Sequence, residues 1–316
     1  MKDVYDILRE TRERPATSFT LATLVRAQGS SYRRPGARLL VCSDGRTVGS
    51  LSGGCLEEEV ALHAREVART GVPALLSFDT RRRFGCNGSI AVFIERLPAN
   101  FFHQIQAELT ARRVCFVETR FESQNDTSPL GSNVVNDSAV VDRRYILDPG
   151  VLVQEIEPPL RLFVIGDGPD SEPVKRLGGL LGWQIITMPD ATGLTILPDR
   201  CTAALVKSHN YGRDFASLRA LLPLNLRYVG LVGPRRRRDQ LLNDLLDVGI
   251  PINAGFFAPA GLDLGSATPE EITFAIVAEI QRVFSGTTGE SLRERRVPIH
   301  AAIDSANESG CLAPAP

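Results

Sequence analysis

The sequence lacks the features of several large classes of protein. Its 316 residues contain no apolar run that approaches the roughly 20 residues of a membrane-spanning helix. Lys and Arg number 36 against 37 Asp and Glu, so the basic excess of a dedicated nucleic-acid-binding protein is absent. The first residues, MKDVYD, are charged and lack the apolar core of a signal peptide. We therefore expect a cytoplasmic protein that binds neither membranes nor nucleic acid.

Cysteine and histidine do not form the common metal or disulfide patterns. The six cysteines stand at positions 42, 55, 86, 115, 201 and 311, and no two of them form C-x-x-C. Single thiols so far apart suit a reducing compartment and exclude a zinc ribbon or a disulfide framework. There are only four histidines, and the HExxH, GxSxG and Walker A motifs are all absent. We expect no metal site, and the sequence identifies no catalytic residue.

Two adjacent prolines divide the chain into halves with different patterns. At roughly 150 residues per domain, the length alone suggests two domains. The segment Glu155–Pro159 (EIEPP) predicts a stiff, extended linker, since proline cannot donate a backbone hydrogen bond to a strand ladder. We predict a first domain over residues 1–157, a second over residues 160–286 and a polar C-terminal tail over residues 287–316.

The first half mixes strands and helices without regular alternation. Arg38–Cys42 and Thr47–Leu51 predict two strands of a hairpin, because the Asp-Gly between them is a strong turn signal. An amphipathic helix is predicted directly after Cys55. The polar stretch over residues 122–137 predicts an exposed loop. This half is predicted to be a mixed α/β domain.

The second half alternates strand and helix patterns with short connections, which predicts a Rossmann-like domain with a parallel sheet covered on both faces. The predicted strands are Arg161–Ile165, Trp183–Met188, Ala203–Lys207 and Tyr228–Val232. His209 follows the third strand, at the end where such sheets bind ligands. A last helix is predicted to begin at Thr268, a capping residue followed by Pro and two Glu. Its predicted buried face is Ile272, Ala275, Ile276, Ile280 and Val283.

Gly166 and Gly168 lie between the first strand and the first helix of this half, where a Rossmann fold has its phosphate loop. Asp190 ends the next strand, close to the usual place of a ribose-binding acid. However, Asp167 and Asp170 bring negative charge to the loop, and the proline between them removes a backbone donor. The motif therefore predicts the fold more strongly than it predicts NAD(P). An NAD(P)-dependent oxidoreductase is kept as the alternative function.

Two cysteines of the first half stand in glycine-rich segments. Ser52–Cys55 (SGGC) leads into a helix, whose N-terminus lowers the pKa of a thiol and favours a nucleophile or a soft-metal ligand. The three glutamates that follow oppose that effect. Gly85–Gly88 (GCNG) precedes a strand. Arginines suited to an anion stand nearby: Arg33, Arg34, Arg38, Arg81, Arg82 and Arg83. In the alternative interpretation the thiols pack as small apolar groups and the arginines face solvent.

Three long motifs resemble the N-terminal domain of the xanthine dehydrogenase accessory family, XdhC/CoxI. They are GSSYRRPGARLLV from Gly29, DGRTVGSLSGGC from Asp44 and FGCNGSIAVFIE from Phe84. RYVGLVGPRRRR and GLDLGSATPEEI resemble the Rossmann domain of the same family. The resemblance extends from Thr20 to about Ile280.

The resemblance implies a non-catalytic protein that binds molybdenum cofactor and assists its maturation or insertion into a molybdenum hydroxylase such as xanthine dehydrogenase. It also implies a cysteine desulfurase as a partner, and we expect a homodimer. The cofactor-binding residues that it implies are Gly29, Ser30, Arg34, Gly36, Ser52, Gly53, Gly54 and Cys55 in the first signature and Gly85, Cys86 and Gly88 in the second. We expect both cysteine segments to face a cleft between the domains.

The phosphate loop departs from the family pattern. The family's G-A-G-H is replaced by G-D-G-P-D in this chain, and a later acidic loop with a histidine is altered to S-H-N-Y-G-R-D. We therefore expect the second domain to serve as a scaffold or a docking surface. A pure interaction module, which would bind a hydroxylase without any cofactor, is a third hypothesis.

Overall fold

The computed structural model describes residues 2–14, 18–29, 31–54, 56–79, 88–123, 129–135 and 150–294. The chain forms two compact units that divide between Pro159 and Leu160. Each unit has apolar cores of its own. Within the described ranges, no helix is both long enough and apolar enough to cross a membrane.

The first unit contains two antiparallel sheets. The strands of the larger sheet are β1 (Ser18–Gly29), β2 (Arg38–Val41), β3 (Thr47–Gly49), β4 (Ala74–Asp79) and β5 (Gly88–Pro98), in the order β3-β2-β1-β5-β4. The smaller sheet consists of β6 (Cys115–Arg120), β7 (Gly131–Val135) and β8 (Val151–Ile156), in the order β7-β6-β8. The antiparallel pairing of β2 with β3 confirms the predicted hairpin.

Both faces of the larger sheet are buried. The helices of this unit are α1 (Lys2–Glu13), α2 (Glu57–Thr70) and α3 (Ala99–Thr110). Helix α2 packs on one face through Val60 and its neighbours, whereas α1, α3 and the smaller sheet cover the other face. Successive residues of β1 point to opposite faces, so Leu21 and Ala22 belong to different cores. This is why residues 20–25 of the strand are all buried, rather than alternately buried and exposed.

The prediction of a loop over residues 122–137 is wrong in part, because β7 lies within this stretch and pairs with β6. Ser132 of β7 is buried, and its backbone N–H donates to the carboxylate of Glu95 at 2.8 Å. Its hydroxyl is also within 2.7 Å of the hydroxyl of Thr119. Strand β7 thus buries the hydroxyl of Ser132 against polar partners. Its sequence therefore lacks the alternation of apolar and polar residues by which a strand is predicted.

The second unit has a parallel sheet with helices on both faces, as predicted. Its strands are β9 (Arg161–Ile165), β10 (Gln184–Met188), β11 (Thr202–Val206), β12 (Val229–Leu231) and β13 (Phe256–Phe257), in the order β10-β9-β11-β12-β13. Its helices are α4 (Glu172–Leu180), α5 (Tyr211–Leu221), α6 (Arg235–Asp247) and α7 (Pro269–Ser285). Helices α5 and α6 pack on one face of the sheet, and α4 and α7 pack on the other.

Helix α7 begins where the sequence predicts, with a capping box formed by Thr268 and Glu271. The prediction of its buried face is wrong at Ile272, which is 36% exposed. Glu279 is buried instead, since its carboxylate accepts hydrogen bonds from the hydroxyl of Tyr228 at 2.8 Å and from the backbone N–H of Gly261 at 2.9 Å. These polar partners, which no apolar pattern reveals, add Glu279 to the buried face that Ala275, Ile276 and Ile280 form as predicted.

Candidate functional site

The glycine-rich motifs of the first unit meet at one end of its larger sheet. Strand β1 ends at Gly29 and β5 begins at Gly88, and these two glycines are paired across the ladder. Strand β3 runs in the same direction as β1, since both are antiparallel to β2, and it leads into residues 50–54. The fold therefore brings to one end three segments that are distant in sequence.

Four residues of the predicted site lie outside the described residues: Ser30, Cys55, Gly85 and Cys86. The roles predicted for them stay predictions. The two residues before Cys55, Gly53 and Gly54, are exposed, whereas Leu56 after it is buried. Their φ angles of +79° and +119° favour glycine, and a Cβ on Gly54 would have no atom within 4 Å. A ligand therefore has open access to the backbone of this segment.

Tyr32 joins two of the motif segments. A Cβ on Gly53 would lie 3.2 Å from Cε1 of Tyr32, so the tyrosine ring lies against the backbone of the S-G-G-C segment. The residue is nevertheless 70% exposed. An aromatic ring over an exposed glycine backbone forms a surface suited to a flat, aromatic ligand. Tyr32 was not among the predicted site residues, although it stands in the middle of the GSSYRRPG motif.

Glu57 holds the segment that precedes α2 in shape. Its carboxylate accepts six hydrogen bonds of 2.7–3.1 Å from this segment. The donors are the backbone N–H groups of Leu51, Ser52, Gly54 and Leu56 and the hydroxyl groups of Ser50 and Ser52. Burial by itself raises the pKa of Glu57, but the hydrogen bonds from Ser52, Leu51 and Leu56 outweigh it and lower the pKa to about 2. The group is therefore ionised at neutral pH.

The inward position of Glu57 changes the interpretation of the helix N-terminus. The sequence predicts three glutamates that oppose an anion or a thiolate, but Glu57 turns into the loop while Glu58 is exposed. The N–H groups that an external anion would use are bound by the chain's own carboxylate. A ligand at this segment would therefore contact the glycine backbone and flanking side chains rather than a vacant anion hole.

The described arginines near the first loop differ in their surroundings. Arg33 pairs with Asp3 of α1, and Arg38 is only 3% exposed. Burial lowers the pKa of Arg38 to about 10, although the nearby Glu95 raises it. Among the three, Arg34 alone is exposed and available to a ligand. An anion on Arg33 or Arg38 stays a prediction, and Arg81–Arg83 lie outside the described residues.

Gly36 turns the chain back into β2. Its φ angle is +94°, and its N–H donates to the carbonyl of Leu24 at 2.8 Å. A Cβ at this position would lie 2.6 Å from the side-chain nitrogen of Gln154. The packing of Gln154 against Gly36 gives this glycine a structural role, which is to hold the loop that presents Tyr32 and Arg34.

In the second unit, the carboxyl ends of the adjacent strands β9 and β11 form the crevice in which doubly wound sheets bind ligands. Gly166 follows β9, and Lys207, Ser208 and His209 follow β11. A Cβ on Gly166, whose φ is +121°, would lie 2.8 Å from the carbonyl oxygen of Lys207. The close approach of these two strand ends therefore requires glycine here, whether or not a phosphate binds.

Asp170 occupies this crevice. Its carboxylate lies 2.7 Å from Nζ of Lys207, whose side chain is 4% exposed, and 3.1 Å from Nε2 of His209. Lys207 also donates to the hydroxyl of Ser171 at 3.0 Å. Burial raises the pKa of Asp170, but the hydrogen bonds from Lys207 and His209 outweigh it and lower the pKa. A negative charge thus stands where a phosphate loop would receive its phosphate. Lys207, which the sequence analysis overlooked as a site residue, is marked by its position at the end of an apolar strand.

The other predicted nucleotide contacts are also engaged within the chain. A Cβ on Gly168 would lie 2.6 Å from Oδ1 of Asp170. Asp190 accepts a hydrogen bond from the backbone N–H of Thr192 at 2.9 Å and another from the hydroxyl of the same residue. These bonds from Thr192 lower the pKa of Asp190. The ribose contact predicted for Asp190 stays a prediction.

Two of the four arginines at the start of α6 form contacts within the unit, and the other two are exposed. Arg237 forms a 2.5 Å ion pair with Asp214, which is fully buried. Arg238 donates to the carbonyl of Ala258 at 3.2 Å. Arg235 and Arg236 are exposed. Among the described residues, no group of three or more His, Cys, Asp or Glu is arranged to hold a metal ion.

Two family models match the chain on either side of the unit boundary. The model of the XdhC and CoxI family matches residues 13–79, and the model of the XdhC Rossmann domain matches residues 162–280. The chain belongs to the XdhC and CoxI family. The first match covers Tyr32, the S-G-G-C segment and Glu57, whereas Gly88 lies beyond it. The second match covers Asp170 and Lys207.

Two relatives of this XdhC/CoxI chain have names that refer to xanthine dehydrogenase or to molybdenum cofactor. A probable xanthine dehydrogenase subunit of Bacillus subtilis (strain 168) is 29% identical over 82% of this chain and 91% of the relative. The molybdenum cofactor insertion chaperone PaoD of Escherichia coli (strain K12) is 23% identical over 83% of this chain and 82% of the relative. The crystal structure of a xanthine dehydrogenase from Bacillus halodurans has the same fold, with a TM-score of 0.77, 24% identity and coverage of 92% of this chain and 98% of that one.

Proposed function

We propose that this chain is an accessory protein that binds molybdenum cofactor and assists its maturation or insertion into a molybdenum hydroxylase of the xanthine dehydrogenase type. The observation that carries the proposal is the cluster of family motifs at one end of the larger sheet, with the exposed Tyr32 ring over Gly53. The name of PaoD, a relative over most of this chain, supports the same function.

The described residues suit a ligand that combines a flat pterin ring with an anionic phosphate. The ring of Tyr32 offers a stacking surface, and Gly53 and Gly54 allow a ligand to approach the backbone closely. The exposed guanidinium of Arg34 suits a phosphate group. Molybdenum accepts sulfur ligands, and we assign that contact to the thiols of Cys55 and Cys86.

Glu57 acts in this proposal as a positioning residue. It holds Ser52 and Gly54, the described residues just before Cys55, through hydrogen bonds of 2.7–3.0 Å. Because its pKa of about 2 keeps it ionised, the loop has one shape throughout the neutral range. A pre-shaped loop binds its ligand without the entropic cost of ordering it.

The protein would exchange its ligand with two kinds of partner. The name of the Bacillus subtilis relative supports a molybdenum hydroxylase as the acceptor. We further propose a cysteine desulfurase as the source of cofactor sulfur, and a homodimer as the working form. The fold of the second unit, in which Asp170 fills the ligand crevice, suits a scaffold or docking surface.

Cofactor retention tests the proposal. We expect the purified protein to carry molybdenum and a pterin, measured by metal analysis and mass spectrometry, and we expect Cys55→Ala, Cys86→Ala and Tyr32→Ala each to reduce both. Two matched controls are Cys42→Ala, a half-buried thiol elsewhere in the unit, and Phe274→Ala, a 58% exposed ring in the second unit. Unchanged retention in both motif cysteine variants would rule out their role, and a loss shared with the controls would indicate misfolding instead.

A further inference from the structure

A cleft of about 530 Å³ lies in the first unit, apart from the glycine loops. Its walls are the end of α1, the first residues of β1, the turn after β2 and the C-terminal half of α2. We call it the arginine cleft, after the arginines that line it: Arg14, Arg46, Arg65, Arg69 and Arg96. The cleft lies beside Ser18 at the start of β1, whereas Gly29 of the glycine loops ends that strand.

Two carboxylates of the lining neutralise part of this charge. Glu10 and Asp44 each pair with both Arg14 and Arg46, at distances of 2.8–3.4 Å. These four side chains form one closed network. Arg69 pairs with Glu66, which is not part of the lining. The positive charge that is left in the cleft belongs to Arg65 and Arg96.

Arg65 and Arg96 are both exposed, and within the described part of the chain neither forms an ion pair. The guanidinium of Arg65 extends toward the β2–β3 turn, 3.6 Å from the position of a Cβ on Gly45. Nε of Arg96 donates to the hydroxyl of Ser18 at 2.8 Å, which orients its terminal nitrogens. Two guanidinium groups in one concave surface attract an anion more strongly than isolated surface arginines do.

Apolar groups form the rest of the lining. Phe19, Val41, Ala64 and Ala68 contribute to it, together with the half-buried thiol of Cys42. Burial raises the pKa of Cys42, and the neighbouring Glu10 raises it further, so the thiol is neutral at neutral pH. The cleft therefore combines cationic groups with an apolar surface.

We propose that the arginine cleft binds a small organic anion, with a phosphate or carboxylate group held by Arg65 and Arg96 and an apolar part against Phe19 and Val41. The volume of about 530 Å³ is in the usual range of small-molecule sites. Guanidinium groups suit both kinds of oxyanion through paired N–H donors. The cleft is separate from the cofactor site proposed above, because Tyr32, Arg34, Gly53 and Gly54 are not among its lining residues.

Calorimetric titration of the full chain tests this site, with inorganic pyrophosphate, citrate and adenosine monophosphate as probes at low ionic strength. Pyrophosphate and citrate distinguish a phosphate from a carboxylate ligand, and adenosine monophosphate tests the apolar surface. We expect binding by at least one probe that weakens with added salt. The double variant Arg65→Gln/Arg96→Gln should weaken it by about ten-fold or more, as expected for the loss of two charge-assisted contacts.

A site-specific readout accompanies the titration. A bound probe should slow alkylation of Cys42 by iodoacetamide, measured by peptide mapping, in the wild type but not in the double variant. Arg235→Gln/Arg236→Gln, two exposed arginines of the second unit, is the matched control and should leave binding unchanged. The proposal fails if no probe binds, or if binding survives the Arg65/Arg96 substitutions. It also fails if only a glutamate-rich peptide binds, which would assign the cleft to a protein partner.

Discussion

Each unit contains a glycine-rich loop that closes on a carboxylate of the chain itself, but the two loops close in different ways. In the first unit, neutral backbone and hydroxyl donors surround Glu57. In the second, the ammonium group of Lys207 and the imidazole of His209 hold Asp170. Glu57 lies behind its loop and leaves Gly53 and Gly54 exposed, whereas Asp170 lies inside the crevice. The same device therefore shapes one site and fills the other.

The largest effect is expected from Glu57→Gln. Glutamine has a single acceptor oxygen and would place N–H donors against the N–H groups of the loop. Hydrogen bonds to a charged group contribute more than neutral ones, so we expect a loss of about 2–3 kcal/mol in the free energy of unfolding. Urea denaturation measures it, and molybdenum retention should fall in parallel. The exposed Glu58→Gln is the control and should change stability by less than about 0.5 kcal/mol. Equal effects of the two substitutions would contradict the role of Glu57.

A smaller loss of folding stability is expected when the pH is lowered. The pKa of Glu57 falls from 4.5 to about 2 on folding, so its contribution to stability is complete above pH 4.5 and is lost as the pH decreases toward 2. Thermal unfolding across this range should therefore show a steeper pH dependence for the wild type than for Glu57→Gln. Parallel profiles would mean that the carboxylate is not held as the structure indicates.

Asp170→Ser should change binding more than stability. Removing Asp170 leaves the buried ammonium of Lys207 without its carboxylate partner, and we expect a loss of about 2 kcal/mol, between the values for exposed and buried ion pairs. The vacated crevice should then bind inorganic pyrophosphate through Lys207 and the start of α4, measured by calorimetry with Arg65→Gln/Arg96→Gln also present so that the arginine cleft does not contribute. Adding Lys207→Met should abolish that binding. If the wild type binds pyrophosphate in this crevice equally well, Asp170 does not fill it.

The smallest effect is expected when the wild-type chain is titrated with NAD(H) or NADP(H) and the heat of binding is measured. With Asp170 in the crevice and Asp190 bonded to Thr192, we expect no measurable heat on titration. Micromolar binding by either dinucleotide would overturn the comparison and support the alternative, an NAD(P)-dependent oxidoreductase. Heat of dinucleotide binding that appears only in Asp170→Ser would show that Asp170 is the group that keeps the crevice of the second unit closed to a nucleotide.

Local patterns in the sequence were sufficient for much of the fold. Asp44-Gly45 predicted the β2–β3 hairpin, and Thr268 with Glu271 predicted the start of α7. Alternation of strands and helices predicted the parallel sheet of the second unit. These features depend on interactions between residues close in the chain or on a repeating apolar pattern, and both are visible in one sequence.

The elements that escaped prediction are those stabilised by polar groups. Strand β7 buries Ser132 on Glu95, and α7 buries Glu279 on Tyr228. Apolar periodicity cannot detect a face that is buried through hydrogen bonds, because its residues are of the same types as an exposed face. The family motifs located the glycine loops, but nothing in them distinguished a glutamate that turns inward from one that faces solvent.

Residue types and spacing thus established the family, the two kinds of domain and the segments that carry the motifs. Tertiary structure alone decided which charged groups are buried or paired and which are exposed. Tyr32 meets Gly53, and Asp170 meets Lys207, only after separate strands have paired. The arginine cleft likewise combines residues from α1, α2 and the larger sheet. The physical reason is that the pKa and availability of a charged group depend on its burial and its partners, which long-range packing supplies.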